Sequence, residues 1–259
     1  MKFFSVIGNP IMHSISPRMH NNAILFFNEE AIYTRFHLQN PLDLKRVVGF
    51  FDGVNITVPF KEYAFEIADI KDEYVCKIKS CNVLINKNNK IYAHNTDYLG
   101  FLKSIEEFKD IKSALILGAG GTSKSIAHAL KSKNIEVKIA NRSQDRFVNF
   151  LDFNCCLYED LIAHEIFDII INTTSAGLND EQMACDKKIL ISLFKNSKYA
   201  YDVIYGKTTA FLQLASNCGL KIKDGKNMLL WQGVYAFDLF FENHNTEEIC
   251  KAMEEALQI

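Results

Sequence analysis

The chain has 259 residues, of which 48% are hydrophobic, enough to bury a sizeable core and long enough for about two compact units. A formal net charge of −2 provides no cationic field for nucleic acid or an anionic membrane, so the expected partners are small molecules. No apolar stretch approaches bilayer length, and the seven cysteines, an odd number, form neither a disulfide framework nor a Cys-x-x-Cys pair, which together predict a soluble, cytoplasmic, non-exported protein with reduced, mostly buried thiols.

Strand and helix patterns alternate along almost the whole chain. Residues 3–7 read as a short apolar strand, 17–28 as a helix with Met19, Ala23, Phe26 and Phe27 on one side, and 54–58 as another strand. The polar turn Lys87-Asn88-Asn89-Lys90 joins the apolar runs 81–85 and 91–93 into a hairpin, and a helix is expected from Thr96 to Phe108. Beyond Ile111-Lys112, strands are predicted at 113–117, 136–140, 153–157, 167–172, 199–204 and 220–223, with helices at 122–133, 143–151, 187–195 and 208–217 between them. A strongly apolar, aromatic helical region follows at 226–242, and an amphipathic helix at 246–258. Such alternation implies parallel sheets covered by helices. No internal repeat or low-complexity tract interrupts it.

The richest stretch begins where the strand Ser113-Ala114-Leu115-Ile116-Leu117 breaks into Gly118-Ala119-Gly120-Gly121 and resumes as a helical pattern through Ala127 and Leu130. A turn of this kind cradles a dinucleotide pyrophosphate, because missing side chains let backbone N–H groups approach phosphate at a helix N-terminus. Ser123 takes the slot of the usual third glycine and keeps it small. The next strand, 136–140, ends in Asn141-Arg142-Ser143, with Arg146 one helical turn further on. An acidic residue there would hold the ribose 2′-hydroxyl of NAD; two guanidinium groups suit a 2′-phosphate, so NADP is the expected cofactor. Glycines also serve any tight strand-to-helix connection, and it is the flanking strands, helix and arginines that favour the dinucleotide.

Polar residues in the first hundred positions gather where strands end, the place open α/β sheets bind ligands. His13-Ser14-Ile15-Ser16-Pro17 precedes the first helix, and Pro17 at its first position makes Ser16 a natural N-cap. Two readings stand: Ser16 only caps, or Ser14 and Ser16, the first not needed for capping, form a carboxylate-sized anion site at the helix N-terminus. Lys61 follows Pro59-Phe60 just past the strand at 54–58. Most lysines are solvated surface groups, and Lys61 stands out only through its company, Asn82 and Asn95-Thr96-Asp97 at the next strand-to-helix junction. Asp97 either caps its helix or forms with Lys61 a proton-transfer pair for an alcohol–ketone interconversion.

Seven motifs in register resemble those of the shikimate dehydrogenase family: Ser14-x-Ser16-Pro17, Asn55-Ile56-Thr57-Val58-Pro59-Phe60-Lys61, Asn95-Thr96-Asp97, Gly118-Ala119-Gly120-Gly121, Asn141-Arg142-Ser143, Asn172-Thr173-Thr174-Ser175-x-Gly177, and Gly225-x-x-Met228-Leu229-x-x-Gln232-Gly233. The resemblance covers nearly the whole chain, and the lysine-bearing motif is its most diagnostic part. It implies reversible NADP-dependent reduction of 3-dehydroshikimate to shikimate on the route to aromatic amino acids. It also implies roles: Ser14, Ser16 and Tyr205 on the substrate carboxylate; Thr57, Asn82 and Gln232 on its ring hydroxyls; Lys61 and Asp97 at the reacting oxygen. Gly118, Ala119, Gly120, Gly121 and Thr122 would take the pyrophosphate, Asn141, Arg142, Ser143 and Arg146 the adenosine phosphate, and Val203 and Gly225 would line the nicotinamide end. The implied fold is two α/β domains. A substrate domain with a mostly parallel mixed sheet spans 1–101, completed by C-terminal helices from about 230 to 259. A Rossmann-type NADP domain spans 102–229.

The chain departs from the family pattern at three places. Tyr98 stands where glycine usually follows the aspartate, Ser80-Cys81 precede Asn82 where small apolar residues are common, and the loop after Tyr205, Gly206-Lys207-Thr208-Thr209, has no proline. The histidines at 13, 20, 37, 94, 128, 164 and 244 show no metal spacing, and no metal is expected. The aromatic run from Trp231 to Phe241 reads as packing between the domains rather than a partner groove, and Cys155-Cys156 as structural. A monomer and a homodimer are both compatible with the sequence. Two other functions stay open at this point: an NAD-dependent quinate/shikimate dehydrogenase, against which Arg142 and Arg146 argue, and a non-catalytic NADP-binding protein, which has no use for Lys61 with Asp97.

Overall fold

A computed structural model describes residues 1–162, 165–242 and 244–257. Contacts divide the chain into two units, Met1–Gly100 with Leu229–Ile259, and Phe101–Met228.

The first unit begins β1 (Lys2–Gly8), α1 (Ser16–Phe26), β2 (Ala31–His37), α2 (Leu44–Val48), β3 (Gly53–Ile56), α3 (Lys61–Ile67), β4 (Ile70–Lys71) and α4 (Glu73–Ile78). It continues through β5 (Val83–Lys87) and β6 (Lys90–His94) into α5 (Asp97–Ser104). Its sheet has the order β2-β1-β3-β5-β6-β4, with β5 alone running against its neighbours. The expected hairpin closes at Lys87↔Lys90, where Asn88 and Asn89 take φ of 53° and 58°, left-handed values that asparagine tolerates and a tight hairpin turn requires.

The second unit contains β7 (Ser113–Leu117), α6 (Gly121–Ser132), β8 (Glu136–Asn141), β9 (Asn154–Leu157), β10 (Ile169–Asn172), α7 (Lys187–Phe194), β11 (Tyr199–Asp202), α8 (Ala210–Asn217) and β12 (Lys221–Lys223). The sheet is wholly parallel with the order β12-β11-β10-β7-β8-β9. Strand order reverses between β7 and β10, which puts the doubly wound switch point at Gly118 and Thr173. These two central strands are buried almost throughout, as helices on both faces demand. The chain closes with α9 (Lys226–Phe241) and α10 (Thr246–Glu255).

Alternation along β1 gives the first unit a core on each face of its sheet. Phe4 and Val6 pack with Met19, Ala23, Phe237, Ile249 and Met253 under α1, α9 and α10, while Ile7 packs with Leu44, Val54, Phe60, Val75 and Leu84 on the other side. The aromatic run of α9, expected between the domains, instead packs inside this unit: Phe240 stacks on Phe4 at 4.7 Å and Phe237 on Phe241 at 4.4 Å. Leu230, Val234, Phe237 and Phe241 recur at three- and four-residue spacing, and that stripe meets α1 and β1.

Other expectations are corrected. The sequence pattern predicts neither strands β2 and β4 nor helices α2, α3 and α4. The predicted helix 143–151 is a 3₁₀ helix, Gln144–Asn149, with no buried residue and so no apolar face to hold a longer α-helix. The helix expected to reach Phe108 stops at Ser104, and of the last helix residue 258 lies outside the described residues. Only Cys81 is buried; Cys76 is exposed and Cys155, Cys156, Cys185, Cys218 and Cys250 are intermediate, all as free thiols, so the thiols are not mostly buried. Among the described residues no helix is long and apolar enough to cross a membrane, and no three His, Cys, Asp or Glu are placed to hold a metal ion; His164 lies outside those residues.

Candidate active site

Strand β3 runs into Val58-Pro59-Phe60, and Phe60, 3% exposed in the core, draws Lys61 inward as the first residue of α3. Lys61 Nζ donates to Asp97 Oδ2 at 2.6 Å, with side-chain exposures of only 12% and 7%. An ammonium at a helix N-terminus opposes the helix dipole, whereas the carboxylate of Asp97 at the start of α5 complements it. Each charge is therefore held by the other and by the polar groups around them.

Those groups converge on Asn82. Its Nδ2 donates to Asp97 Oδ1 at 3.0 Å and to Thr96 Oγ1 at 3.0 Å, and approaches Gln232 Oε1 at 3.4 Å. Its Oδ1 accepts the Thr96 N–H at 2.7 Å. Thr96 Oγ1 donates to the Gln232 carbonyl at 3.0 Å, which ties α9 into the network, and Gln232 Nε2 donates to the Leu229 carbonyl at 2.8 Å. The Asp97 N–H is taken by Asn95 Oδ1 at 3.0 Å. Asn95 thus does the capping, and the carboxylate of Asp97 is committed to Lys61 and Asn82.

Ser14 and Ser16 come together, but not as expected. Helix α1 already includes Ser16, the preceding residue Ile15 has φ −95° and ψ 0°, and no side chain caps the helix. A serine N-cap needs an extended backbone that residue 16 lacks. Instead Ser14 Oγ accepts the Ser16 N–H at 3.4 Å and donates to Ser16 Oγ at 3.2 Å, so Ser14, thought free of any capping role, is the one that meets a backbone donor. Both serines are buried. Arg35 Nε on β2 donates to the Ser14 carbonyl at 2.7 Å and fixes this loop from outside it. Thr57 lies just past β3, its N–H bonded to the Ile7 carbonyl at 2.9 Å, and a Cβ at Gly8 would stand 2.5 Å from its Cγ2. Behind it, Tyr33 Oη donates to Asn55 Oδ1 at 2.7 Å, and Asn55 Nδ2 donates to the Asn82 carbonyl at 3.4 Å.

In the second unit Gly118 has φ +107°, and a Cβ there would meet Thr173 Oγ1 at 2.8 Å and Thr174 Cγ2 at 2.9 Å. No other residue fits. Its N–H goes to the Ala140 carbonyl at 2.8 Å, and the Gly120 N–H goes to Ser123 Oγ at 3.0 Å, which also meets Thr173 Oγ1 at 2.7 Å. Ser123 therefore caps the turn as well as allowing close packing. The N–H groups of Gly121 and Thr122 have no partner within α6, being in its first turn. Nothing lies within 4 Å of where a Gly120 Cβ would be. The turn opens on a cavity of about 460 Å³ lined also by Ala119, Asn141, Arg142, Ser143 and Arg146, with Asn141 Nδ2 donating to the Ser143 carbonyl at 3.0 Å. Open backbone at one end and two guanidinium groups at the other suit a pyrophosphate and a 2′-phosphate respectively.

Beyond β11, Val203 and Tyr205 are half-buried, and burial pushes the Tyr205 hydroxyl above its usual pKa. A Cβ at Gly225 would stand 2.1 Å from the Val203 carbonyl oxygen, so this contact also admits only glycine. Asp202, not singled out from sequence, holds the segment: its carboxylate accepts from Asn172 Nδ2 at 3.1 Å, Thr209 Oγ1 at 2.6 Å and the Ile204 N–H at 3.0 Å, while burial raises its pKa. Its partner Asn172 ends the neighbouring strand β10, a pairing that only the fold reveals. Arg35 and Tyr33 had no local sequence signal either.

Residues 6–84 match the family model described as the shikimate dehydrogenase substrate binding domain, and residues 102–183 match the one described as shikimate / quinate 5-dehydrogenase. The shikimate dehydrogenase (NADP(+)) of Helicobacter hepaticus is 42% identical over 243 residues, 92% of this chain and 90% of that one. The chain belongs to the shikimate dehydrogenase family. The shikimate dehydrogenase (NADP(+)) of Aquifex aeolicus is 36% identical over 92% of this chain and 91% of its own length. Two solved shikimate dehydrogenase structures are similar throughout. That from Aquifex aeolicus has a TM-score of 0.88 at 32% identity, covering 100% of this chain and 98% of that one. That from Thermus thermophilus, in complex with NADP(H) and shikimate, has a TM-score of 0.84 at 30% identity, covering 99% and 100%. As a shikimate dehydrogenase, the chain has two α/β domains, the first with a mostly parallel mixed sheet and the second with Rossmann strand order.

Proposed function

We propose that this shikimate dehydrogenase catalyses the reversible NADP-dependent reduction of 3-dehydroshikimate to shikimate, with Lys61 and Asp97 moving the proton. The observation that carries this reading is the desolvated ammonium–carboxylate pair, 2.6 Å apart and ringed by amides and hydroxyls at strand ends. Reducing a ketone needs hydride on carbon and a proton on oxygen, and NADPH, when bound, supplies the hydride. Lys61 has three protons and Asp97 takes one, which leaves donors for the substrate oxygen. The ammonium delivers a proton and stabilises the developing alkoxide, and Asp97, held by Asn82, keeps the lysine aimed. In the oxidising direction the same pair takes the proton from the substrate hydroxyl as hydride leaves its carbon.

The remaining residues fit the supporting roles. Ser14 and Ser16, with Tyr205, bind the carboxylate of the substrate; Thr57, Asn82 and Gln232 grip its ring hydroxyls. Gly118 to Thr122 accept the pyrophosphate, Asn141, Arg142, Ser143 and Arg146 the 2′-phosphate, and Val203 and Gly225 shape the nicotinamide end. The open space at Gly120 and the paired arginines support this assignment. A cytoplasmic enzyme, monomeric or homodimeric, completes the proposal. The test follows shikimate oxidation at a wavelength where only reduced nicotinamide absorbs, with NADP and with NAD. Activity with NADP is expected, and Lys61→Ala should lower kcat by roughly two orders of magnitude or more with little change in KM. No turnover of shikimate overturns the reaction, and near-normal turnover by Lys61→Ala removes the lysine from it.

A further inference from the structure

Tyr98, where the family pattern has glycine, has no part in the reaction as derived above, yet it follows Asp97 directly. Its ring lies over that of Tyr74 on α4, with centroids 3.7 Å apart and planes inclined by 25°. The same short helix holds the other side of the Asp97 segment. Asp72 caps α4 through the Val75 N–H at 2.7 Å, and its second oxygen meets Nδ1 of His94, the last residue of β6, at 3.3 Å. Residues 94 and 98 are therefore both fastened to α4, and between them lies only Asn95-Thr96-Asp97. Beyond α4 the chain reaches Cys81, whose N–H bonds the Lys61 carbonyl at 3.1 Å, and Asn82, whose N–H bonds the His94 carbonyl at 3.2 Å. Helix α4 is thus linked through short connections to all three members of the Lys61, Asp97 and Asn82 cluster. Burial foremost, then Tyr98, Asp97 and Asp72, push the Tyr74 hydroxyl far above its usual pKa, so the stack stays uncharged at any working pH.

We propose that Tyr98 is a positioning residue: stacked on Tyr74, it clamps the start of α5 to α4 and holds the Asp97 carboxylate between Lys61 and Asn82. Proton transfer tolerates little play, since a displacement of about 1 Å can cost on the order of 100-fold in rate. A glycine at 98 would leave α5 free to fray at that end, because it has no ring to stack on Tyr74 and its backbone is the more flexible.

The inference rests on the proton-transfer role of Asp97, and its test separates the two. The parent, Tyr98→Phe, Tyr98→Gly, Tyr74→Ala and the double variant Tyr74→Ala/Tyr98→Gly are compared for kcat and KM in shikimate oxidation with saturating NADP, with thermal midpoints measured alongside. Tyr98→Phe, which keeps the stack, should stay within about twofold of the parent. Tyr98→Gly and Tyr74→Ala should each lower kcat by roughly tenfold with a KM change below about threefold, and the double variant should be no slower than the slower single, because both remove one shared contact. A residue important only for folding would lower the midpoint and leave the kcat of the folded enzyme in place. Parental kcat in Tyr98→Gly, multiplied losses in the double variant, or a Phe variant as slow as the Gly variant overturns the clamp. A parent inactive on shikimate overturns the reaction itself and the clamp with it.

Discussion

Acid sensitivity should be written into the first domain by His20. This residue of α1 is 1% exposed, its ring stacked on Tyr33 with centroids 4.1 Å apart, and neither ring nitrogen has a hydrogen-bond partner among the described residues. Burial without a partner lowers its pKa from 6.5 to about 3. The fold therefore holds a neutral imidazole that the unfolded chain protonates below pH 6.5, so stability is complete above that value and falls as pH drops through it. With these two pKa values the group costs about 0.2 kcal/mol at pH 7 and about 2 kcal/mol at pH 5, a large share of the roughly 5–15 kcal/mol of a typical domain. Urea unfolding of the parent, His20→Phe and His20→Leu at pH 7, 6 and 5 isolates the effect, because cavity or overpacking terms shift each variant equally at every pH. From pH 7 to 5 the parent should lose about 2 kcal/mol more than either variant. Parallel pH profiles would refute the reasoning. Contacts also link His20 to the candidate site, since Tyr33, against which His20 stacks, bonds Asn55, and Asn55 bonds the Asn82 carbonyl.

Cofactor selection should reside in the paired arginines: Arg142→Gln or Arg146→Gln should raise KM for NADP by about tenfold or more, the scale of one charge-assisted hydrogen bond, while KM for NAD holds. Equal rises for both nucleotides would show that these side chains do not read the 2′-phosphate. Two glycines should behave oppositely. Gly225→Ala puts a methyl 2.1 Å from the Val203 carbonyl oxygen and should lower the thermal midpoint by the equivalent of about 1–3 kcal/mol, whereas Gly120→Ala, with open space around it, should keep the midpoint and weaken NADP binding in a thermal-shift titration. A Gly120→Ala protein with parental NADP affinity would show that the open space is not where the phosphates lie.

How much of this was readable from sequence depended on the reach of each signal. In the second domain an apolar run, a glycine turn and a helical stripe follow one another in order, and every sheet strand from β7 to β12 was found. In the first domain, α2 to α4 have only five to seven residues, too short for a helical period to show, β4 has only two, and just four residues separate α1 from β2. Their absence hid Arg35 on β2 and Tyr74 on α4, which act on the Ser14 and Asp97 segments from outside. Ser16 failed as an N-cap for a local reason, because a proline after it reports where helix begins but not which backbone conformation precedes it. Asp202 and His20 depend on partners, or on a lack of partners, that no local pattern records.

The Lys61–Asp97 pair itself argues for function more strongly than for stability. Two charges with side-chain exposures of 12% and 7% have lost most of their water, and a pair of apolar side chains filling the same volume would commonly leave a protein as stable or more so. The arrangement persists only because its polar neighbours are almost fully matched: Asp97 has Lys61 on one oxygen and Asn82 on the other, Asn95 takes its N–H, and Thr96 locks Asn82 to Gln232. Residues from the start of α3, the approach to β5, the β6–α5 junction and α9 are needed to complete that set. A fold seeking only stability has no reason to bring four separate segments to one buried ammonium, whereas a site that must hand a proton to a ketone oxygen does.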